Sequence, residues 1–528
     1  MTKDCLKKVV LFGLIALGLP LLSMAQQSAK PKPRPNIILI LADDLGWKDL
    51  SCYGSIFYET PNLDRLAAQG MRFSDFYASC NVCSPSRSSI MTGQYPVNTG
   101  ITDWIKGRQN GKGPMPYDRL IPPDFVFNLD TAQVTIAEAL KHGGYATFFA
   151  GKWHLGLSES YWPENQGFDI NKGGWSAGNP WSEGMGGYFS PYHNPKLSDG
   201  PKGEFLTDRL TSETIRFIRE KASENEPFFV ELSLYAVHQR IEAKEKYIEK
   251  FKAKAHRLGL DTVETNIKDA PWMQNEKGWS ERVIQSNPVY AALLYSVDEN
   301  VGRILSVLQD LKIDDNTIVV FTSDNGGLST AEGAPTSNVP LRYGKGWNYE
   351  GGLRVPLIVS WPGVTKPGKL CPFPAVNTDF YPTFLQMAGL PLMPDQHKDG
   401  VSLVPLLQGE QKIDQPALYW HYPHYGNQGS APGAAVREGD WKLIQFYEDN
   451  HVELYNLRID IEERRDLAAA FPAKTAALLK KLQSWRTATH AKFPRLNPYY
   501  NPYYEETMKQ QHQSWKQYRA AYQKQFKP

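Results

Sequence analysis

Apolar runs that end in acidic or amide side chains recur along this chain. NIILILADDLG, at residues 36–46, is an unbroken apolar run that ends in two aspartates, and NTIVVFTSDNGG, at residues 316–327, repeats the design. Such runs are typical of strands buried on both faces of a largely parallel sheet, and α/β folds place their sites at the carboxyl ends of such strands. The oxygen donors at these two ends are Asp43, Asp44, Asp324 and Asn325. We expect them to converge on one cation.

A helix and a strand follow each other in TIAEALKHGGYATFFAGKWHLG. Thr135 and Glu138 form the pattern of a capping box, so the helix is expected to begin there and to end at the glycine pair. The strand that follows is expected to end at Lys152 and His154.

Three further segments continue the alternation. PFFVELSLYAVHQ predicts a strand that ends at His238, and RVPLIVSWPG predicts another buried strand. Apolar residues three and four positions apart in VYAALLYSVDENVGRILSVLQDL predict a long amphipathic helix. The pattern predicts an α/β fold with a large mixed, mostly parallel sheet that is flanked by helices.

The pattern changes near residue 411. AAVREGDWKLIQFYEDNHVELYNL predicts three short antiparallel strands with turns at Glu438-Gly439 and Asp449-Asn450. AKTAALLKKLQSWRTATHAKF predicts a helix, and we expect another helix from near Glu505 in the aromatic, glutamine-rich tail. The expected organisation is a catalytic α/β domain at 36–410, a smaller C-terminal α+β subdomain with an antiparallel sheet and a helix at 411–490, and a C-terminal extension at 491–528.

The first 25 residues resemble a cleavable secretory signal. Lysines precede an apolar run at residues 9–22, and small residues follow it. The run of about 14 residues is too short to span a bilayer. We expect cleavage after Ala25, a proline-rich linker at 26–35, and a protein that is exported to the periplasm without membrane insertion.

Charge and composition limit the classes of binding partner that we expect. Removal of the signal takes away three lysines and one aspartate, so the formal charge of +2 falls to about zero. A neutral balance gives no electrostatic reason to expect nucleic acid or a lipid surface as a partner. The 12% aromatic content, which includes 14 tryptophans, fits a protein that handles sugars, although a large core would also explain it.

Four cysteines remain after export, which is too few for a disulfide scaffold. Cys80 and Cys83 have the C-x-x-C spacing of half a zinc site, but no second pair completes it. Cys80 is expected to be a packed or disulfide-bonded thiol. The sequence therefore favours a use of Cys83 other than zinc binding.

CSPSRSSIMTG, at residues 83–93, matches the C-x-P-S-R signature of the type I sulfatases. Other blocks that resemble this family appear in the family's order: PNIILILADDLG, ETPNLDRLAAQGMRFSDFYA, GYATFFAGKWHLG, TIVVFTSDNGG, GKGWNYEGGLRVP and REGDWKLI. The chain is similar to exported bacterial glycan sulfatases and arylsulfatases. This resemblance implies an alkaline-phosphatase-like fold and hydrolysis of a sulfate ester with release of inorganic sulfate.

The resemblance also implies that Cys83 is converted to Cα-formylglycine by a sulfatase-maturing enzyme before export. The hydrated aldehyde would be the nucleophile, because one hydroxyl attacks sulfur and loss of the proton from the other expels sulfate. An ordinary serine would instead form a stable sulfate ester. One Ca²⁺ ion would be held by Asp43, Asp44, Asp324, Asn325 and the residue formed from Cys83.

The resemblance gives each basic side chain a role. Arg87 and Lys152 would neutralise the charge around the diol and the sulfate, and His154 would accept the proton whose loss expels sulfate. His238 would protonate the leaving alcohol, and Lys345 would contact the sulfate and the ester oxygen. Taken singly, each has a plainer interpretation as a surface charge, a structural histidine or a turn residue.

Substrate choice should come from loops around the shared core. The candidate contacts are Asp103, Trp104, His421, His424, Asn427 and Gln428. Tyr343 and Trp347 are expected either to pack against a sugar ring or to have a structural role. The predicted substrate is a carbohydrate O-sulfate, and galactose or N-acetylgalactosamine 4-O-sulfate is the specific prediction.

Two alternative functions remain. A phosphonate or phosphodiester hydrolase shares the fold, but it usually presents Asp-His where this chain has Asp324-Asn325. A catalytically decayed glycan-binding protein is the non-enzyme alternative, although every expected catalytic position is filled.

Overall fold

The computed structural model describes residues 34–107, 115–268 and 280–503. Within these ranges the strands are β1 (Asn36–Ala42), β2 (Met71–Phe73), β3 (Phe76–Tyr77), β4 (Leu120–Ile121), β5 (Ala146–Gly151), β6 (Ile170–Lys172), β7 (Phe228–Ser233), β8 (Asn266–Lys268), β9 (Ser280–Arg282), β10 (Thr317–Ser323), β11 (Leu357–Ser360), β12 (Lys369–Cys371), β13 (Ala375–Val376), β14 (Leu418–Tyr422), β15 (Gly433–Glu438), β16 (Trp441–Phe446), β17 (Val452–Asn456) and β18 (Arg495–Leu496).

The helices cover the sheets or connect their strands. They are α1 (Pro61–Gln69), α2 (Cys83–Thr92), α3 (Pro96–Thr99), α4 (Ile136–His142), α5 (Leu206–Glu224), α6 (Glu245–Arg257), α7 (Pro288–Asp310), α8 (Glu350–Leu353), α9 (Phe380–Met387), α10 (Val404–Leu407) and α11 (Pro472–Ala488). In the part of the chain that the structure describes, no helix is both long enough and apolar enough to cross a membrane.

The main sheet has eight strands in the order β12-β2-β11-β10-β1-β7-β5-β6. The five strands from β10 to β6 are parallel, whereas β11 runs antiparallel to both of its neighbours. Every residue of β1, β5, β7 and β10 is buried, as unbroken apolar runs require. The predicted mixed, mostly parallel sheet is confirmed, and β1 and β10 end side by side.

The strand predicted to reach His238 is shorter than expected. β7 ends at Ser233, and the chain then turns so that the backbone N–H of His238 donates to the carbonyl of Tyr235 at 3.0 Å. The apolar sequence continues past the strand because these loop residues are also buried. An apolar run predicts which residues are buried, and here the buried stretch is longer than the hydrogen-bonded strand β7.

The C-terminal sheet has four strands, in the order β14-β15-β16-β17, rather than the predicted three. The three predicted strands are β15, β16 and β17, and the missed strand β14 pairs antiparallel with β15. The helix predicted after the sheet is α11. The predicted tail helix near Glu505 and the predicted signal at 1–25 lie outside the described residues.

A buried ionic cluster joins the C-terminal sheet to the segment that precedes β11. Lys442, on β16, lies 2.9 Å from a carboxylate oxygen of Glu350 on α8 and 2.9 Å from one of Glu463. Arg354 pairs with the other oxygen of Glu350 at 2.6 Å. All four side chains are buried, so their charges are compensated by one another rather than by water.

Replacing Lys442 by alanine should lower the free energy of unfolding by about 3–5 kcal/mol, because Glu463 and one oxygen of Glu350 would lose their shared buried cation. The shift of the urea midpoint at unchanged slope measures this loss. Lys480→Ala, on the exposed face of α11, is the matched control and should change stability by no more than about 0.5 kcal/mol. Equal losses in the two variants would contradict a role for the ionic cluster.

Candidate active site

The carboxyl ends of β1 and β10 bring four oxygen donors together as predicted. Asp43, Asp44, Asp324 and Asn325 are all buried. The side chain of Asn325 donates to Asp44 Oδ1 at 2.8 Å, and the backbone N–H of Asp44 donates to Asp324 Oδ1 at 3.2 Å. Because β1 and β10 are paired in register as neighbours, residues distant in sequence meet here.

Cys83 is the first residue of α2, where helix N–H groups have no partner within the helix and favour an anion. Its Sγ lies 3.4 Å from Nδ1 of His154. The other ring nitrogen, Nε2, lies 3.2 Å from the carbonyl oxygen of Ile105. A carbonyl oxygen only accepts, so the His154 proton is assigned to Nε2, and Nδ1 presents a lone pair to residue 83.

Arg87 lies one turn along α2 from Cys83 and is fixed through three of its nitrogens. Nε and Nη2 each lie 2.8 Å from Asp324 Oδ2, and Nη1 donates to the carbonyl of Lys152 at 2.8 Å and to Ser233 Oγ at 2.6 Å. Ser233 is not predictable from the sequence, since a serine that ends an apolar strand carries no distinctive signal. Its hydroxyl fixes the direction of the guanidinium.

Two lysines each pair with one of the two aspartates. Lys152 Nζ lies 2.9 and 2.8 Å from the two carboxylate oxygens of Asp43. Lys345 Nζ lies 2.8 Å from Asp44 Oδ2 and donates to Nε2 of His238 at 3.2 Å. The structure therefore brings all six predicted catalytic residues to the cluster of predicted metal ligands.

The environment of residue 83 changes two pKa values. Burial raises the pKa of the Cys83 thiol, even though Lys152 and Lys345 act in the opposite direction. Burial, together with Lys152 and Arg87, holds the pKa of His154 well below its usual range. His154 is therefore a neutral imidazole that can accept a proton.

Nearby charges and burial also shift the pKa values of Asp44 and His238. Burial alone would raise the pKa of Asp44, but Lys345 and His238 outweigh it and hold that pKa below its usual range. Burial and Lys345 lower the pKa of His238 to about 3. Its Nδ1 lies 2.6 Å from the carbonyl oxygen of Gln239, so Nδ1 carries the proton and Nε2 accepts from Lys345.

The donor set fits a hard divalent cation. Asp43, Asp44 and His238 each place one ligand atom within 4.8 Å of the others. Asn325 Oδ1 is buried and accepts no hydrogen bond within the described residues, as expected of an oxygen that would face a cation. Carboxylate and amide oxygens are the preferred ligands of Ca²⁺.

The remaining thiols play no visible part in this site. Cys52, Cys80, Cys83 and Cys371 are all free in the described structure. Cys80 is buried, with its Sγ 3.6 Å from Asn81 Oδ1, so it is a packed thiol rather than half of a disulfide. The C-x-x-C spacing of Cys80 and Cys83 is incidental.

The predicted substrate contacts before residue 110 border the site. Asp103 is buried and accepts from the hydroxyl of Tyr422 at 2.8 Å, and Trp104 is partly buried next to it. The next residue, Ile105, supplies the carbonyl that orients His154. The loop thus contributes a backbone carbonyl to the site. Side-chain types in the sequence do not indicate a backbone contact of this kind.

The two histidines predicted as substrate contacts have protein partners in the described structure. His421 lies in β14, and its nitrogens contact the hydroxyl of Tyr447 at 2.7 Å and the carbonyl of Lys492 at 2.9 Å. His424 is buried, and its Nε2 lies 2.8 Å from Thr102 Oγ1. Their contact with a substrate remains a prediction.

Asn427 differs from the aromatic pair Tyr343 and Trp347 in its exposure. Asn427 is partly exposed and donates to Glu332, so it can still face a substrate. Tyr343 and Trp347 are buried and stack on each other with ring centroids 4.1 Å apart. The structural interpretation of this pair is correct.

The chain has the alkaline-phosphatase-like fold: a mixed, mostly parallel sheet with acidic and cationic groups gathered where β1 and β10 end. Residues 35–390 match the sulfatase family, and residues 342–492 match the C-terminal region of N-sulphoglucosamine sulphohydrolase. The chain belongs to the sulfatase family, and it is a sulfuric ester hydrolase.

The chain is similar to two curated sulfatases and to a solved structure. A sulfatase of Formosa agariphila is 34% identical over 92% of this chain and 94% of its own length. N-acetylgalactosamine-6-sulfatase of Canis lupus familiaris is 32% identical over 74% of this chain and 69% of its own. The solved structure of Ps i-CgsB in complex with k-i-k-neocarrahexaose is 28% identical, has a TM-score of 0.68, and aligns with 86% of this chain and 92% of its own.

Proposed function

We propose that this sulfatase hydrolyses an O-sulfate ester of a carbohydrate, using a formylglycine formed from Cys83 and one bound Ca²⁺. The observation that carries the proposal is the position of Cys83. It begins α2, faces the unprotonated Nδ1 of His154, and lies in a buried site that also holds the oxygen donors and the lysines. Asp43, Asp44, Asp324 and Asn325 would hold the ion together with residue 83. In its hydrated form the formylglycine would supply the nucleophilic hydroxyl, and Ca²⁺ would supply Lewis-acid polarisation of a sulfate oxygen.

The chain's own residues bind and orient the sulfate. The N-terminus of α2 and the ammonium of Lys152 favour an anion at this place. Arg87 is held rigidly by Asp324 and Ser233, so its charge is preorganised rather than free to follow solvent. Such fixed charges stabilise developing charge without reorganisation during the reaction.

Proton movement is divided between two histidines. His154 accepts a proton at Nδ1 from the group at residue 83, and its Nε2 stays bound to the Ile105 carbonyl. On the other side, Lys345 donates to His238 Nε2, so we assign protonation of the leaving oxygen to this pair rather than to His238 alone. His154 and His238 are both buried, so an ester bound between them would be shielded from water.

Carbohydrate as the substrate class is supported by the relatives. One is an N-acetylgalactosamine-6-sulfatase, and another binds a neocarrahexaose. The 4-O-sulfate on galactose or N-acetylgalactosamine remains a sequence-based prediction. The similarity to a 6-sulfatase supports a 6-O-sulfate on the same sugars as the alternative. We further propose export to the periplasm after maturation of Cys83 by a sulfatase-maturing enzyme.

A substrate panel tests the proposed function. We expect sulfate release from galactose or N-acetylgalactosamine O-sulfates to exceed hydrolysis of an aryl phosphate by at least about 100-fold in kcat/KM. Ion chromatography of released sulfate measures the first activity and phosphate release measures the second. Faster release from the 4-O-sulfates supports the sequence-based position, and faster release from the 6-O-sulfates overturns it.

The same panel separates the two alternative functions. Preferential hydrolysis of phosphonate or phosphate esters would replace the proposal with a phosphonate or phosphodiester hydrolase. Binding of sulfated glycans by fully modified protein without any release of sulfate would identify a decayed glycan-binding protein.

A further inference from the structure

Glu332 brings a carboxylate to the neighbourhood of Lys345. Burial lowers the pKa of Lys345, but the negative charges of Asp44, Cys83, Asp43 and then Glu332 together hold that pKa above its usual range. Glu332 is exposed, and it has no part in the catalysis proposed above. A negative charge near a sulfate-binding site opposes sulfate binding, so its presence there calls for a compensating interaction.

Two loops hold Glu332 in place. Its Oε1 accepts from the side-chain amides of Asn427 and, at 3.4 Å, of Gln428. The backbone carbonyl of Gln428 accepts from the indole of Trp347 at 3.0 Å, which fixes the second loop beside Lys345. The structure gives no hydrogen bond to Oε2 of Glu332 among the residues it describes. The carboxylate is thus oriented through one oxygen and keeps the other for a ligand.

The loops that carry Glu332 and Gln428 border the part of the site where the leaving group would lie. A Cβ built on Gly333, the residue after Glu332, would lie 3.6 Å from Nε2 of Gln239, and Gln239 follows His238 directly. A Cβ built on Gly346, the residue after Lys345, would lie 2.7 Å from Cβ of Gln428. The loops that carry Glu332 and Gln428 therefore pack against the residues next to His238 and Lys345.

A carboxylate at this position distinguishes substituents by their hydrogen-bonding character. It only accepts hydrogen bonds, so it binds a hydroxyl and repels a sulfate or carboxylate group, which only accepts as well. Hydrogen bonds to an ionised acceptor are the stronger kind. The amides of Asn427 and Gln428 add donors and acceptors of the kind that bind neutral sugar hydroxyls.

We propose that Glu332, held by Asn427 and Gln428, binds a free hydroxyl near the scissile sulfate and so selects monosulfated rings over rings that carry a second anionic group there. This inference rests on the proposed function, because it requires a sugar on the leaving side. Glu332 is a specificity-determining residue and not a catalytic one.

The test compares Glu332→Ala and Glu332→Gln with wild type on three substrates: a monosulfated sugar that wild type cleaves, its deoxy analogue lacking the free hydroxyl nearest the sulfate, and 4-nitrophenyl sulfate. We expect kcat/KM of Glu332→Ala to fall about 10- to 100-fold on the sugar. The kcat/KM of Glu332→Ala should change by less than about threefold on the deoxy analogue and on the aryl sulfate. On the sugar, the kcat/KM of Glu332→Gln should lie between those of wild type and Glu332→Ala. Glu224→Gln, which alters an exposed glutamate at the end of α5, is the matched control.

A disulfated sugar provides the second readout. The ratio of kcat/KM for disulfated over monosulfated sugar should rise in both Glu332 variants, because the repelling charge is gone. Equal losses on all three substrates, or no loss on the sugar, would overturn the inference. Wild-type protein that hydrolyses the aryl sulfate but none of the sugars would instead overturn the proposed function.

Discussion

Replacing Cys83 by serine should lower kcat by about 10⁴-fold or more, because the proposed nucleophile is a formylglycine and no other side chain begins α2 beside His154. A serine that attacked sulfur would be left as a stable sulfate ester, since it has no second hydroxyl whose proton His154 could remove. Sulfate release measured at saturating substrate checks the prediction. Substrate binding should persist, because Lys152 and Arg87 are untouched.

Mass spectrometry of the peptide that contains residue 83 makes this experiment decisive. Conversion of the thiol to the aldehyde lowers the peptide mass by about 18 Da, so the fraction of modified wild-type protein can be set against its activity. Cys83→Ala serves as the second variant, since alanine offers no oxygen or sulfur for conversion. Wild-type activity from fully unmodified Cys83, or from the alanine variant, would contradict the formylglycine mechanism.

The sequence predicts best the parts of the site that local patterns determine. β1 and β10 are unbroken apolar runs, and the donors that follow them, such as Asp44 and Asn325, necessarily meet because adjacent parallel strands end at one edge. The capping box of Thr135 and Glu138 is present as predicted, because it depends only on residues three apart. Local signals of this kind need no knowledge of long-range contacts.

The parts that the sequence predicts least well depend on partners distant in the chain. His421 resembled a substrate contact because it lies in a polar, aromatic segment, yet its partners Tyr447 and Lys492 come from later elements. Glu332 gave no signal at all, since its position next to Lys345 arises only when Asn427 and Gln428 pack against it. An isolated polar residue in a loop does not reveal in the sequence whether its partner is protein or ligand.

Replacing Asp44 by asparagine should reduce kcat/KM by about 10³-fold or more, because this carboxylate links both sides of the site. It pairs with Lys345 at 2.8 Å and accepts from Asn325 at 2.8 Å, so the change removes one negative charge from the proposed Ca²⁺ ligands without altering the size of the side chain. Ca²⁺ affinity depends on the number of charged ligands. The variant should therefore need a higher Ca²⁺ concentration for any remaining activity.

Thermal unfolding gives a readout that does not depend on turnover. A ligand that binds only the folded state at about 100 times its Kd stabilises that state by about 2.7 kcal/mol, so Ca²⁺ should raise the Tm of chelator-treated wild type. Asp44→Asn should lose most of this shift at the same Ca²⁺ concentration, whereas Asp261→Asn, at an exposed position, should keep it. A wild-type Tm that does not respond to Ca²⁺, or an unchanged shift in Asp44→Asn, would show that Asp44 does not hold the ion. Loss of activity with a retained shift would place its role in fixing Lys345 instead.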